Sequence, residues 1–353
     1  MPLPRPPRFL SLLGAFLLTL AGTALAEAPY RVEVLYWSMN IPGQVAMRHG
    51  VEAEAERINR AARETGTRGV ELVPRVAGDG PAGVERQIAQ MFAAVQARPD
   101  VILVQPTDNA ALAEPLRAAN RAGIPVVAYD QYISGGKLAA YVTSDNRQAG
   151  YLGGEYLAAL FPGVDPLRLV IVEYPLVSST VERLNGFLDA LRDRKVRYTV
   201  LKTYQAVEPV AGRKAGEAIL RDFPGRGSID AVFTVNDGGG LAVVDALARA
   251  GRDEIAVATI DGDPASVDNI RQRRLTRIDA AQFCGPLGAE ALKAAHAVAR
   301  GATVPKRLLV PVFPVTGETL DRYPGWLGPI PEAFRKPWRS NQPLWDGRPQ
   351  STR

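Results

Sequence analysis

Several apolar runs in this chain end in polar side chains that could bind a ligand. Gln105 directly follows the run at 101–104, and Asp130 closes the run at 126–128. A loop that starts at Trp37 follows an earlier run of the same kind. Carboxylate and amide groups form charge-assisted and bidentate hydrogen bonds. The chemistry that these positions favour is therefore recognition of a polar molecule by hydrogen bonding.

Residue types that carry out catalysis are sparse in comparison. His49 and His296 fall in predicted helices and have no partner at a spacing typical of a metal site or a catalytic triad. The chain has no GxSxG motif and no P-loop, and the glycine-rich run at 78–83 contains a proline where a dinucleotide-binding loop needs a backbone donor. Glycines 238–240 could hold an anion through their N–H groups, although close approach of the backbone to a ligand is the simpler interpretation. We therefore expect a protein that is not an enzyme and has no cofactor or metal.

The polar positions belong to strand–helix–strand units. The stretch 99–130 is typical of a buried strand, a helix ended by Gly123 and a second buried strand, because its apolar runs are continuous and its helix repeats apolar residues every few positions. A similar pattern recurs at 229–263 with nearly the same spacing. Units of this kind resemble one another in unrelated proteins, so they predict a fold and leave the function open.

Alternating strands and helices along the whole chain predict an α/β fold. The first series, up to about residue 130, has the order of a doubly wound parallel sheet with right-handed crossovers. A second series starts near residue 147. Such sheets bind ligands beyond the carboxyl ends of their strands, and two lobes in series can place two such crevices face to face. We therefore expect a ligand cleft between two lobes.

Composition excludes several classes of function. With 46% hydrophobic and 22% charged residues the chain is typical of a globular protein, and 353 residues suffice for two domains. The net charge of +5 is small and scattered, so we expect no nucleic-acid partner. Cys284 is the only cysteine, which excludes an intrachain disulfide and favours a buried, inert thiol.

Residues 1–26 have the pattern of a secretory signal peptide. Arg5 and Arg8 precede an uncharged run at 9–20, and Ala-Leu-Ala at 24–26 matches the small-x-small cleavage pattern. The short apolar core argues against the alternative, an uncleaved membrane anchor. We therefore predict an exported chain whose mature form begins at Glu27.

Short motifs spread over residues 30–316 have the order and spacing of one family of binding proteins. They are MNIP at 39–42, PTDNAAL at 106–112, AGIPVVAYD at 122–130, TSDN at 143–146, ERLNGF at 182–187, AVFTVND at 231–237 and IDGDP at 260–264. In these motifs the chain resembles the periplasmic sugar-binding proteins of the ribose and galactose type, the solute receptors of bacterial ABC transporters. The resemblance implies two Rossmann-like doubly wound lobes joined by a three-segment hinge, with crossovers near Ser144, Gln282 and Val312.

The resemblance also implies how the mature chain is divided. After the signal peptide at 1–26, it assigns residues 27–144 plus 283–312 to an N-terminal lobe and 145–282 plus 313–320 to a C-terminal lobe. Residues 321–353 form a tail that departs from the family. The tail is rich in proline and holds Trp326, Trp338 and Trp345. Because disordered segments rarely carry so many large aromatic residues, we expect the tail to fold back over a lobe as irregular structure.

Position by position, the resemblance implies a set of polar residues that face the cleft. They are Asn40, Gln44, Gln105, Asp130, Arg183, Asn236, Asp237, Asp261 and Gln282. A neutral polyol in a desolvated cleft needs every hydroxyl paired, and these side chains can pair them. Arg183, between Asp130 and Asp237, would donate across the cleft.

Alternatives remain for several members of this set. Each carboxylate could instead cap a helix or fix a turn, above all Asp261 in the IDGDP turn. Trp37 is the aromatic residue that we expect to stack on the ligand, with simple packing as its alternative. The chain also departs from the ribose-type receptors, which carry aromatic residues at the positions of Gly43 and Gln44 and near Val207 and an arginine at the position of Val181. These departures predict a specificity different from ribose.

Together these features predict an exported binding protein that captures a small polar ligand, a sugar or a polyol, and delivers it to the membrane permease of an ABC transporter. We expect a monomer in the periplasm whose lobes close around the ligand. One alternative changes the output, so that the closed form docks onto a sensor histidine kinase or a chemoreceptor. A second alternative is an exported hydrolase that uses Asp130 and Glu182 as paired carboxylates.

Overall fold

The computed structural model describes residues 1–2 and 27–352, so the predicted signal peptide lies almost entirely outside the described residues. The helices are α1 (Pro42–Thr65), α2 (Gly80–Ala97), α3 (Ala113–Arg121), α4 (Asn146–Leu160), α5 (Ser178–Asp193), α6 (Pro209–Asp222), α7 (Asp237–Arg249), α8 (Pro264–Arg271) and α9 (Cys284–Ala299). The strands are β1 (Tyr30–Tyr36), β2 (Val70–Val76), β3 (Val101–Val104), β4 (Val126–Tyr129), β5 (Ala140–Ser144), β6 (Leu167–Glu173), β7 (Tyr198–Gln205), β8 (Ala231–Thr234), β9 (Ala256–Asp261), β10 (Thr276–Gln282), β11 (Arg307–Val310), β12 (Val312–Thr316), β13 (Phe334–Arg335), β14 (Leu344–Trp345) and β15 (Gln350–Thr352). Within this part of the chain, no helix combines the length and the apolar character needed to cross a bilayer.

The first lobe is built on a sheet with the strand order β15-β11-β5-β4-β3-β1-β2. Its neighbouring strands run parallel, except that β15 is antiparallel to β11. Strands β3 and β4 are buried along their whole length because helices cover both faces of the sheet. Helices α1 and α9 pack together over one face, and α2 and α3 cover the other.

The second lobe repeats this arrangement with the strand order β12-β10-β9-β8-β6-β7. The pairs are parallel apart from β10 and β12. Helices α4 and α5 cover one face, where Phe187 stacks on Phe233 with ring centroids 4.1 Å apart, and α6 and α7 cover the other. Both lobes thus present the carboxyl ends of their parallel strands at one edge, as ligand-binding α/β sheets do.

Before the tail, within residues 27–320, the chain passes between the two sheets at three places. It leaves the first sheet after β5 at Asp145, returns after β10 at Phe283, and crosses again at Pro311 between β11 and β12. Each position is next to a predicted crossover. The predicted fold class, an α/β protein of two doubly wound lobes with a three-segment hinge, is therefore confirmed.

The C-terminal tail is attached to the second lobe by a buried carboxylate. Glu155 on α4 is fully buried, and its oxygens accept hydrogen bonds from Lys336 Nζ at 2.7 Å, Trp338 Nε1 at 3.1 Å and Ser340 Oγ at 2.5 Å. The ammonium and the carboxylate of this pair are both almost completely removed from water. The middle of the tail is therefore fixed on α4.

The end of the tail reaches the first lobe. Strand β15 extends the first sheet beside β11, and β13 pairs with β14. The buried ring of Trp345 packs against Phe313 and Phe334, and its Nε1 donates to the carbonyl of Val312 at 2.7 Å. The tail thus contacts both lobes, where the sequence predicted contact with one.

Candidate ligand-binding cleft

A cavity lies between the two lobes, beyond the carboxyl ends of strands from both sheets. Its volume is about 40 Å³. Residues in the ranges 37–47 and 130–131 line it from the first lobe, and residues in the range 177–183 line it from the second. Its position is that of the ligand crevice in open α/β sheets.

Arg183, on α5, is the cation among the residues that line this cavity. Its side chain is buried, and its Nε donates to Asn146 Oδ1 at 2.9 Å. Its Nη1 donates to the carbonyl of Val235 and to Asp261 Oδ1, each at 2.9 Å. Among the described residues, Nη2 has no hydrogen-bond partner. The protein therefore holds the guanidinium in place while leaving donors for a ligand.

Asp130 follows β4 in a left-handed backbone conformation, with φ of 63°. Its carbonyl accepts hydrogen bonds from Tyr141 and Thr143, and its Oδ2 accepts one from Gln105 Nε2 at 2.9 Å. Burial raises the pKa of Asp130, against the lowering effects of the Gln105 hydrogen bond and the Arg183 charge. A carboxylate has about four acceptor sites, so Asp130 keeps capacity for a ligand hydroxyl.

Asp261, at the end of β9, has a more unusual backbone. Its φ of 132° is in a region that residues with a side chain rarely adopt. Its Oδ1 accepts hydrogen bonds from Arg183 at 2.9 Å and from Gln282 Nε2 at 2.7 Å. Burial raises the pKa of Asp261 to about 6, even though the Arg183 guanidinium acts to lower it. A strained backbone beneath an interacting carboxylate is typical of a functional position.

Gln282 connects the cleft to the hinge. Its Oε1 accepts a hydrogen bond from Ser144 Oγ at 2.9 Å, while its Nε2 donates to Asp261. Ser144 ends the strand before the first crossover, and Gln282 ends the strand before the second. The polar network of the cleft therefore includes two of the three hinge segments.

Apolar side chains complete the wall of the cavity. Gln44 lies among them, with its Oε1 bonded to Ser38 N at 2.9 Å and its Nε2 without a partner in the described part of the chain. Burial raises the pKa of the Cys284 thiol well above its ordinary value, as the predicted inert state requires. The apolar wall consists of Trp37, Ile41, Met47, Val177 and Val207.

Most of the residues predicted to face the cleft do line the cavity. They are Trp37, Gln44, Asp130, Arg183, Asn236, Asp261 and Gln282. Asn236 is also the N-cap of α7, since its Oδ1 accepts from Gly239 N at 3.2 Å. Trp37 is buried, and its backbone N–H donates to Gln105 Oε1 at 3.3 Å.

Three predicted residues do not line the cavity. Asp237 is buried beneath the cleft, where its oxygens accept from Thr259 Oγ1 at 2.7 Å and from Asp263 N at 2.8 Å. Arg183 therefore pairs with Asp261, not with Asp237. Gln105 lies behind Asp130 and supports it. Asn40 is exposed, and its Nδ2 donates to Asp79 Oδ2 at 2.7 Å.

Burial and a neighbouring carboxylate shift the pKa of Asp237. Its desolvation, together with the neighbouring Asp279 carboxylate, raises the pKa of Asp237 well above its usual range. Asp237 and Asp279 hold successive amides of one turn, because Asp279 Oδ1 accepts from Gly262 N at 2.9 Å. Asp237 thus fixes a turn, which is the alternative role that the sequence left open for each of the carboxylates.

The sequence missed a set of residues at the mouth of the cleft. Gln131 Nε2 donates to Ser179 Oγ at 2.8 Å, and Tyr132 N donates to Ser178 Oγ at 3.2 Å. Ser178 N in turn donates to Asn109 Oδ1 at 3.2 Å. Each of these bonds joins the first lobe to the start of α5 in the second. The lobes are therefore closed on each other, and Gln131 could have been suspected only because it follows Asp130.

The structure argues against the carboxylate pair of the hydrolase alternative. Glu182 accepts two hydrogen bonds from Arg307 Nη2, at 2.8 and 2.9 Å, and it does not line the cavity that contains Asp130. In residues 27–352, no group of His, Cys, Asp and Glu side chains is arranged to hold a metal ion. The groups that line the cleft are suited to hydrogen bonding with a polar ligand.

Comparison with known proteins agrees with the family resemblance seen in the sequence motifs. The family profile of the periplasmic binding protein domain matches residues 32–303. The chain is 29% identical over 276 residues to the ribose import binding protein of Bacillus subtilis, a match that covers 78% of this chain and 83% of the relative. It is 25% identical over 295 residues to the ribose import binding protein of Escherichia coli, covering 83% and 93% of the two chains.

Solved structures share the fold. An ABC transporter solute-binding protein from Bacillus halodurans with bound myo-inositol has a TM-score of 0.71 at 23% identity, covering 83% of this chain and 96% of that one. A solute-binding protein from Actinobacillus succinogenes with bound D-allose has a TM-score of 0.70 at 23% identity, covering 84% and 100%. The tail at 321–353 lies outside the range that the family profile matches.

Proposed function

The chain belongs to the periplasmic binding protein family, and from this we propose that it captures a small neutral polyol, such as a monosaccharide, in the cleft between its lobes and delivers it to the permease of an ABC transporter. As a member of this family it is a binding protein and not an enzyme. The observation that carries the proposal is the set of groups gathered in one cavity: two carboxylates, one guanidinium and four side-chain amides, beside an apolar wall.

The charges in the cavity favour a neutral ligand. Asp130 and Asp261 line the same cavity as one guanidinium, so an anionic ligand would meet two carboxylates in a site shielded from water. A hydroxyl group avoids this conflict because it can donate to a carboxylate and accept from Arg183 at the same time. The apolar wall can cover the C–H face of a sugar ring.

The closed arrangement supports capture by movement of the lobes. The hydrogen bonds from Gln131 to Ser179 and from Tyr132 to Ser178 join the two sides of the cleft, so a ligand enters when the lobes part. The hinge network through Gln282 and Ser144 connects that motion to the polar groups of the site. A ligand that bonds to both lobes stabilises the closed form.

Delivery to a transporter is favoured by the relatives. The two curated proteins named above are import proteins for ribose, and both solved structures come from ABC transporter systems. Family membership supports a periplasmic location, in agreement with the predicted signal peptide. Loss of uptake of the bound sugar in a strain that lacks the protein supports transport, whereas retained uptake with a lost chemotactic or transcriptional response indicates the sensing alternative.

A thermal-shift screen tests the ligand class. The chain from Glu27 onward is heated with D-ribose, D-allose, myo-inositol, nucleosides and amino acids in separate samples. A ligand at about a hundred times its dissociation constant adds roughly 2.7 kcal/mol of stability, which raises the melting midpoint by a few degrees. A shift confined to sugars or polyols supports the proposal, and a shift confined to amino acids or to anionic compounds contradicts it.

A further inference from the structure

Trp326 is a tail residue that contacts the main chain of the cleft. The Nε1 of its indole donates to the main-chain carbonyl of Asp261 at 2.6 Å. Its own carbonyl accepts from Gly285 N, at the start of α9, at 2.9 Å. Trp326 therefore joins the end of β9 in the second lobe to the first turn of a helix in the first lobe, beside the second hinge crossover.

A second tail residue touches the same place. The hydroxyl of Tyr323 lies 3.4 Å from the carbonyls of Gly262 and Gln282, and its ring packs near Phe283 and Phe313. Both main-chain groups belong to cleft residues or to their direct neighbours. The tail segment 323–326 thus contacts the main chain of the ligand-binding residues and of their neighbours.

The residue that Trp326 holds is the strained one. Asp261 has a φ of 132°, and its carboxylate reaches Arg183 and Gln282 from that conformation. The turn that follows is fixed from within the second lobe, because Asp279 and Asp237 accept from the N–H groups of Gly262 and Asp263. The carbonyl of Asp261 is fixed from outside that lobe, by the tail.

We propose that Trp326 is a positioning residue for the ligand site, which holds the strained Asp261 backbone so that its carboxylate faces Arg183 and Gln282. This inference rests on the proposed function of the cleft. A strained backbone persists only where the surroundings over-determine it. Without the indole N–H, the Asp261 peptide can relax toward an ordinary conformation, and the carboxylate then leaves the position in which a closed cleft needs it.

The test removes the indole N–H and keeps an aromatic ring at the position. Trp326→Phe removes the hydrogen bond to Asp261, and Trp338→Phe is the matched control because it removes the indole bond to Glu155 from the same tail, at a site remote from the cleft. Tyr323→Phe is a second variant that removes only the hydroxyl near Gly262. All variants are made in the full mature chain.

The first measurement needs no ligand. Amide hydrogen exchange is compared at Gly262 and Asp263 in the wild type and the variants. We expect Trp326→Phe to accelerate exchange at these amides about three- to tenfold, Tyr323→Phe to accelerate it less, and Trp338→Phe to leave it unchanged. If Trp326→Phe does not fold, the exchange rates at Gly262 and Asp263 are compared between Tyr323→Phe and Trp338→Phe. The proposal then requires faster exchange in Tyr323→Phe.

The second measurement is calorimetric titration with D-ribose, D-allose and myo-inositol. We expect Trp326→Phe to weaken the affinity for a sugar that the wild type binds by about three- to tenfold, while Trp338→Phe binds as the wild type does. Unchanged exchange at Gly262 and Asp263 in Trp326→Phe overturns the proposal. Equally fast exchange at these amides in Trp338→Phe also overturns the proposal, since any loosening of the tail would then have the same effect as loss of the Trp326 hydrogen bond. Absence of binding to any of the three sugars by the wild type counts against the proposed function alone, because the exchange result stands without it.

Discussion

The buried ion pair between Lys336 and Glu155 predicts how strongly the tail is attached. Both side chains are almost fully buried, with the ammonium 2.7 Å from the carboxylate, and the other two donors to that carboxylate are neutral groups of Trp338 and Ser340. Lys336→Met removes the charge partner and leaves the carboxylate in place. Lys336→Met combined with Glu155→Gln removes both charges and keeps an acceptor for Ser340.

The structure gives the expected size of each effect. Breaking a buried ion pair from one side costs about 3–5 kcal/mol, because an unpaired charge stays buried. The two neutral donors offset part of this, so we expect Lys336→Met to lower the free energy of unfolding by about 2–4 kcal/mol. The double variant should lose only about 1 kcal/mol, since replacing both members of a buried pair is close to neutral.

Urea unfolding measures the stability of each variant, and limited proteolysis measures how firmly its tail is attached. We expect the tail of Lys336→Met to be cleaved by trypsin faster than that of the double variant, at a urea concentration where both lobes remain folded. Equal losses of stability in the two variants would refute the reasoning, because the cost would then come from lost packing and not from an unpaired charge.

The cleft gives three further predictions. Asp130→Asn weakens sugar binding about tenfold or more in calorimetry, whereas Asp237→Asn changes it by less than about twofold, because Asp237 lies beneath the cavity. Gln131→Ala removes the bond to Ser179 and speeds sugar release about three- to tenfold in stopped-flow fluorescence. Burial raises the pKa of Asp261 to about 6, so folding favours the protonated form of this group more than the unfolded chain does. The stability that Asp261 contributes is therefore full below its unfolded pKa and is lost as the pH rises through about 6. Relative to Asp261→Asn, the wild type should therefore lose up to about 3 kcal/mol between about pH 4 and about pH 7 in urea unfolding.

Each of these predictions has an outcome that contradicts it. Equal sugar affinities in the Asp130 and Asp237 variants would place the ligand elsewhere. A release rate that does not respond to Gln131→Ala would mean that the contact at the mouth does not hold the lobes closed. A stability difference between wild type and Asp261→Asn that is flat with pH would show that Asp261 titrates normally.

Much of the fold could be predicted from the sequence because its signals are local. The continuous apolar runs at 101–104 and 126–128 form strands buried on both faces, and the polar residues after them lie at the carboxyl edge of the sheet. Asp130 is one of these residues and lines the cavity, as does Asp261, which the family resemblance implied.

Neighbouring residues at a strand end could not be separated in the same way. Asn236 and Asp237 are adjacent, yet one lines the cavity and the other is buried beneath it, because α7 begins there and turns the two side chains in different directions. The side chain that faces the ligand depends on the first turn of that helix. Local periodicity does not specify this geometry.

Contacts between distant parts of the chain were also beyond the sequence. The aromatic content of the tail predicted that it would pack, but its partners Glu155 and Asp261 lie far away along the chain. Nothing near either residue marks it as a partner of the tail. Gln131 was missed for a similar reason, since its partner Ser179 belongs to the other lobe.

The central claim is that a neutral sugar or polyol binds between the lobes, against Arg183. Calorimetric titration of the mature chain and of its Arg183→Lys variant with D-ribose, D-allose and myo-inositol tests it most directly. Lysine cannot reproduce the bonds from one planar group to Asn146, Val235 and Asp261, so we expect the wild type to bind at least one of these compounds and the variant to bind it about tenfold more weakly or worse. Equal binding by the two proteins would contradict the account of the site, and no binding by the wild type would contradict the proposed ligand class.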